Sequence, residues 1–267
     1  MKQTFIIAAF GIVSLLYSAT GQSVLGQITL RHQDPLPVIL IHGYFEDKSV
    51  WARFEQLLQN DGIKFFPVTF QASGPCSGNV VAGVTLTCDP CGSANHHAQE
   101  LVQIVQHVKS VTGADKVNIV GHSKGGLDAR AYLGNNLSNR DVANLIMIGT
   151  PNAGSPLAGP LTDPADPCTP AVSDIRVGAI YTMAHRNFNT HYYTIAGDWD
   201  PSMTPCDFPD VGGFYFYFPE ANDGIVPVWS VESQPYFNHL LPHSPNCHQN
   251  LMGDLEYHLA QNILLGR

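Results

Sequence analysis

The stretch Lys116–Leu133 reads KVNIVGHSKGGLDARAYL. A short apolar run, Val117, Ile119 and Val120, meets Gly121-His122-Ser123-Lys124-Gly125, and a helix-compatible segment, GLDARAYL, follows at once. That order is strand, sharp turn, helix, the setting in which G-x-S-x-G lifts a serine hydroxyl above the edge of a sheet. Such a turn is strained, and glycines two residues to either side keep it clear of the neighbouring strand and helix. Lys124 then opens the helix, so its backbone N–H is aimed at any negative charge forming beside Ser123. Gly126 adds a further position for close packing.

Working outward, the chain has 267 residues, 44% of them hydrophobic, enough for one sizeable domain with one core. Its formal charge of −9 lacks the basic footprint that nucleic-acid binding requires, so no nucleic-acid partner is expected. Residues 1–21 carry Lys2, then an apolar run from Phe5 to Tyr17, then small residues. They read as a secretory signal with cleavage near Ala19-Thr20-Gly21, leaving residues 22–267 as a single domain that is secreted or periplasmic. The competing reading is an uncleaved anchor, but the run is shorter than the roughly 20 apolar residues a span needs.

Six cysteines, Cys76, Cys88, Cys91, Cys168, Cys206 and Cys247, suit export and suggest disulfides, whose pairing the sequence does not choose. Cys88-x-x-Cys91 with His96 and His97 also admits a zinc reading, although the spacing completes no standard ligand set.

The remaining pattern alternates strands with helices. Pro37 to Ile41 (PVILI) reads as a strand buried on both faces and ends in His42-Gly43-Tyr44. Ser49 is the expected cap of the helix VWARFEQLLQN. KFFPVTF, from Lys64, reads as a strand that Pro67 moves towards a sheet edge. Ser93 should cap a long helix that stops at Gly113. NLIMI (144–148) and HYYTI (191–195) read as further strands, and a helix closes the chain from about Gly253 to Leu265. The proline-rich segment 151–189 reads as a lid-like insertion above the sheet. The expected fold is therefore α/β, with a mostly parallel central sheet, helices on both faces and ligands at the carboxyl ends of the strands.

A serine hydroxyl needs a base within reach, a carboxylate to orient that base, and donors for the developing oxyanion. In the elbow topology acid and base follow the serine in chain order. Asp223, in Ala-Asn-Asp-Gly-Ile-Val-Pro, is the chosen acid over Asp198 and Asp200; an ordinary Asx turn is its bland alternative. Twelve histidines mean that most have no chemical role. His248, on the loop before the last helix, is the chosen base over His239, His243 and His258. The Tyr44 and Lys124 backbone N–H groups are the expected oxyanion donors.

Taken together, PVILIHGY, KVNIVGHSKGG, NLIMIGTPNAGSP, HYYTIAG and ANDGIVP resemble, in family order from Pro37 to the C-terminus, an exported lipase or esterase of the α/β-hydrolase superfamily, similar to the bacterial true lipases. The resemblance implies Ser123 as nucleophile and Asp223 as acid, with Tyr44 and Lys124 at the oxyanion. It implies a lipid or small ester as substrate, esters of medium or long acyl chains above all. Transient contact with a lipid surface and a monomeric state are further expectations. Many such lipases carry a structural calcium beside an Asn-His-Leu-Asp; here Asn238-His239-Leu240 is followed by Leu241, so no cofactor is expected. The Phe214–Phe218 run (FYFYF) reads either as an acyl-pocket lining or as a strand with alternating faces. Two further alternatives are the same triad acting as a thioesterase, polyester depolymerase or acyltransferase, and a non-catalytic binding domain on the same fold.

Overall fold

The computed structural model describes residues 34–70, 80–81, 84–85, 91–135, 140–159, 168–179, 187–206, 215–233 and 239–267. Contacts separate Met1–Asp34 from Pro35–Arg267, and the fold set out below is that of the second unit. The expected signal, residues 1–21, lies outside the described residues, as do Cys76 and Cys88.

Among the described residues six strands form one parallel sheet in the order β2-β1-β5-β6-β7-β8. They are β1 (Val38–Ile41), β2 (Phe65–Pro67), β5 (Val117–His122), β6 (Val142–Ile148), β7 (His191–Ile195) and β8 (His239–Leu240). A small antiparallel pair, β3 (Val80–Val81) and β4 (Val84–Thr85), stands apart from it. Strand β1 shows why the sheet is buried on both faces. Its side chains alternate, so Val38 and Leu40 point one way while Ile39 and Ile41 point the other, and all four are fully buried.

The first pair packs with Trp51, Phe54 and Leu58, on and just before α1 (Ala52–Asn60), and with Tyr257, Ala260 and Leu264 of α6 (Asp254–Leu264). The second packs with Ala98, Leu101, Val105 and Val108 of α2 (Ala94–Thr112) and with Leu127 and Ala131 of α3 (Lys124–Gly134). Each large aliphatic side chain removed from water in this way is worth about 1.5–3 kcal/mol. The two faces together make the sheet the core of the molecule.

Helix boundaries follow local chemistry. Ser93 accepts the His96 N–H and Gly113 takes φ 72°, so α2 begins and ends where the sequence places its cap and stop. At α1 the expectation needs correction. Asp47, not Ser49, is the capping side chain: it accepts the Ser49 N–H at 2.7 Å and starts a 3-10 turn, Lys48–Trp51, ahead of the α-helix. The Asp47 carboxylate thereby satisfies an N–H of the first turn, which has no acceptor within the helix. Strand β2 is an edge strand, as Pro67 requires, and is shorter than KFFPVTF suggests. The strand reading of FYFYF fails over its described part: Tyr215 is helical, Phe216 and Tyr217 form a turn, and Phe218 is irregular. Phe216 and Tyr217 are 79% and 56% exposed, so these two rings line no enclosed acyl pocket.

The segment 151–189 contributes a short helix, α4 (Thr169–Asp174), to the described residues. It is tied down. Cys168 is bonded to Cys91, and the Asp174 carboxylate accepts the Ala94 N–H at the start of α2. Asn152 donates to the Val231 carbonyl on α5 (Val228–Glu232), and Ser155 to the Ile225 carbonyl. Because every strand of the main sheet runs the same way, the loops after β1, β5, β6, β7 and β8 converge on one edge.

Candidate active site

Ser123 stands between β5 and α3 at φ 51° and ψ −126°, a backbone conformation that costs a non-glycine residue about 1–3 kcal/mol. Its surroundings hold it there. The Ser123 N–H donates to the Ile148 carbonyl at 2.9 Å, locking the turn to the end of β6. A Cβ at Gly121 would come within 2.7 Å of the Gly126 nitrogen. One at Gly125 would collide with the carbonyl oxygens of Ile41 and His42, and one at Gly126 with Thr150. The glycines therefore let strand, turn and helix close to a spacing that side chains forbid. The serine is 9% exposed.

Asp223 and His248 come together on the loops after β7 and β8. Gly224, at φ 94°, closes the tight turn that carries the acid. Asp223 Oδ1 accepts the Ile225 and Val226 N–H groups at 2.9 and 2.6 Å, which fixes the carboxylate. Its Oδ2 then accepts from His248 Nδ1 at 2.7 Å, and the His248 N–H donates back to the Asp223 carbonyl at 2.9 Å. Both residues are buried. Burial works against a charged imidazole at His248. The charge and hydrogen bond of Asp223, with the charge of Glu46, outweigh it and hold the His248 pKa above its ordinary value. The link to the serine turn runs through His122, whose ring centroid lies 4.7 Å from that of His248.

The rival residues are engaged elsewhere. His239 stacks on Tyr193, His243 bonds Glu232 at the surface, and exposed His258 donates to the Asp254 carbonyl within its own helix. Asp198 and Asp200 are exposed, and Asp200 is occupied by Ser202.

Lys124 opens α3, so its N–H falls in the first helical turn, where no intrahelical acceptor exists. Tyr44 follows Gly43 on the loop after β1, ahead of Phe45 at φ 63°. His42 stays in that loop as a turn residue, its Nδ1 donating to the Gly43 carbonyl at 3.0 Å.

Two sets of partners beside the site escape the sequence reading. The Lys124 side chain turns inward: its ammonium lies 2.5 Å from Asp128 Oδ1 and 3.3 Å from His97 Nδ1, and His97 Nδ1 is 2.9 Å from Asp128 Oδ2. Burial opposes ionisation of Asp128, yet Lys124 and His97 hold its pKa below the usual carboxylate value. The i,i+4 spacing of Lys124 and Asp128 on one helix was the available signal. The second set is Glu46 and His122. Glu46 Oε2 accepts the Gly43 N–H at 2.7 Å and lies 2.9 Å from His122 Nδ1, while His122 Nε2 is 3.0 Å from the His248 carbonyl oxygen. These partners are 76 and 126 residues apart in the chain, and no local pattern announces them.

Cys91 pairs with Cys168, which removes it from the zinc reading, and Cys206 pairs with Cys247, the residue before His248. Among the described residues no helix is long and apolar enough to cross a membrane.

Comparison with known proteins adds relatives to this geometry. The family described as palmitoyl protein thioesterase matches residues 37–199. A triacylglycerol lipase of Pseudarthrobacter phenanthrenivorans is 31% identical over 128 residues, covering 46% of this chain and 35% of its own length. The chain thus spans about a third of the length of the first curated relatives it matches. The mature Bacillus licheniformis lipase BlEst2 superposes with a TM-score of 0.67 at 21% identity, over 86% of this chain and 92% of that one. The thioesterase RedJ of Streptomyces coelicolor superposes with a TM-score of 0.51 at 16% identity, over 87% and 88% of the two chains. At these identities the two structures establish the α/β-hydrolase fold and nothing finer.

Proposed function

The chain belongs to the palmitoyl protein thioesterase family and has the α/β-hydrolase fold; from that premise we propose that it is a serine carboxylic-ester hydrolase, a lipase or esterase acting on medium- or long-chain acyl esters. Ser123 attacks the acyl carbonyl while His248 Nε2 takes the hydroxyl proton. Asp223 holds the imidazole by its Nδ1–H and stabilises the imidazolium that forms. The Tyr44 and Lys124 N–H groups receive the oxyanion, each such donor being worth about 2.7–4 kcal/mol in the transition state. His248 returns the proton to the leaving alcohol. Water, activated by the same imidazole, then frees the acid from Ser123.

The observation that carries this reading is the buried Asp223–His248 hydrogen bond of 2.7 Å, packed through His122 against a serine in a strained turn. A carboxylate that fixes one ring nitrogen leaves the other as base, in chain order Ser, Asp, His. The two disulfides support an exported protein that meets its substrate outside the cytoplasm.

Thioester hydrolysis is the second reading, favoured by the family match. The same residues serve it, because an acyl carbonyl bearing sulfur passes through the same tetrahedral oxyanion. Hydrolysis of p-nitrophenyl esters of graded chain length, triacylglycerol emulsion and palmitoyl-coenzyme A by the wild type and Ser123→Ala separates the readings. Serine-dependent turnover of the oxygen esters with greater kcat/KM than the thioester supports the first. The reverse order supports the second, and equal rates with and without the Ser123 hydroxyl overturn both.

A further inference from the structure

Glu46 and His122 take no part in the chemistry above, yet they lie at its centre. A Cβ on Gly43 would sit 2.8 Å from the Ser123 Cβ, 2.9 Å from Glu46 Oε2 and 3.3 Å from His122 Nδ1. The loop after β1, the serine turn and the Glu46–His122 contact therefore meet at one point. On its other side His122 reaches the backbone of the loop that carries His248.

The hydrogen bonds constrain the protons. His122 is fully buried, so water does not substitute for a missing partner. Its Nε2 faces the His248 carbonyl oxygen, which only accepts, and its Nδ1 faces the Glu46 carboxyl. A neutral imidazole has one N–H and satisfies one of the two. A protonated Glu46 would resolve the conflict, but the oxygen that would carry that proton, Oε2, already accepts the Gly43 N–H at 2.7 Å, and a hydroxyl oxygen of a neutral carboxyl is a far poorer acceptor than a carboxylate oxygen. The charged groups around the ring are Glu46 from the loop after β1 and His248 with Asp223 behind it. Lys124, next on the same turn, directs its ammonium away to Asp128.

We infer that His122 is an imidazolium paired with the Glu46 carboxylate, and that the pair is a positioning device clasping the oxyanion loop, the nucleophile turn and the base loop together. This rests on the ester-hydrolase reading for its purpose, though not for its protonation state. Gly43 precedes Tyr44, His122 precedes Ser123, and the His248 carbonyl belongs to the base itself, so each clasped group is one bond or one residue from a reacting or donating atom. Charge-assisted hydrogen bonds are roughly twice as strong as neutral ones, and here they act across three segments distant in sequence. The role is to hold geometry; neither residue touches substrate.

The test is long-range 1H–15N correlation of the histidine rings in the uniformly 15N-labelled wild type at neutral pH, with His122 assigned by loss of its signals in His122→Gln. Two protonated ring nitrogens on His122 are expected, and one unprotonated nitrogen overturns the inference. Glu46→Gln, with its fold checked by circular dichroism, is expected to convert His122 to a neutral tautomer. It should lower kcat on a p-nitrophenyl ester by between about 10- and 100-fold with KM nearly unchanged, the cost of a small misplacement. An unchanged kcat in that variant overturns the positioning role. Should Glu46→Gln not fold, the wild-type spectrum still decides the ion pair, and Glu46→Asp, which shortens the reach and keeps the charge, replaces it with the same expected fall in kcat. An inactive wild type that shows the doubly protonated signature would instead mark failure of the ester-hydrolase reading alone.

Discussion

At the scale of single residues, the site works by fixing protons and by holding a backbone where it would not stay alone. In the proposed mechanism His248 must be neutral to accept the Ser123 proton, and its environment favours the charged form. Activity therefore rises with pH as His248 loses its proton, and the acid limb of kcat/KM should be centred above the ordinary imidazole value of 6.5. A pH–rate profile on a soluble ester checks this, and a limb at or below that value would remove the Asp223 and Glu46 fields from the account. Asp223→Asn keeps the shape of the pair and reverses the tautomer, so kcat should fall by about 10⁴-fold in steady-state assays while the fold persists. The strained turn at Ser123 and the pairing of Asp223 with His248 were legible because motif, chain order and loop position agree. Glu46 and His122 were not, since their meaning lies in contacts between distant loops.

At the scale of elements, the elbow is a packing problem solved by glycine. Gly125→Ala puts a methyl group against the carbonyl oxygens at the end of β1, where nothing flexible gives way. The helix must then move off the sheet, and urea denaturation should show a loss of at least about 1–3 kcal/mol, the usual cost of overpacking. Helix α3 carries a second dependency. Asp128→Ala leaves the buried Lys124 ammonium without its carboxylate partner, and breaking such a pair costs about 3–5 kcal/mol. Denaturant midpoints measure both changes. Strand β1 was readable as an uninterrupted apolar run of strand length, and α2 from its Ser93 cap and Gly113 stop. The Asp47 cap, the exposed aromatic turn at 216–217 and the burial of the Lys124 pair were not. Each depends on competition between neighbours or on tertiary contact, which periodicity does not record.

For the whole molecule, one parallel sheet gathers residues from across the chain, from Tyr44 to His248, onto a single edge. What remains is to hold the long loops that reach it. The Cys206–Cys247 disulfide ties the base loop to the segment after β7 across 41 residues. Replacing both cysteines by serine should cost about 2–5 kcal/mol of stability by thermal or denaturant unfolding. Activity should drop further than stability, because Cys247 adjoins His248. Equal activity at a temperature where both proteins are folded would show that the bond serves stability alone. Fold class was accessible from alternating strands and helices. The anchoring of segment 151–189 through Cys168, Asp174 and Asn152 was not, because proline-rich sequence carries no period to read.

The most direct measurement is covalent labelling of the folded wild type by a fluorophosphonate probe, followed by peptide mass spectrometry, with Ser123→Ala and His248→Ala alongside. The account predicts one modified residue, Ser123, with labelling abolished in the first variant and strongly slowed in the second. Labelling that persists without the Ser123 hydroxyl, or a wild type left unmodified, would contradict it.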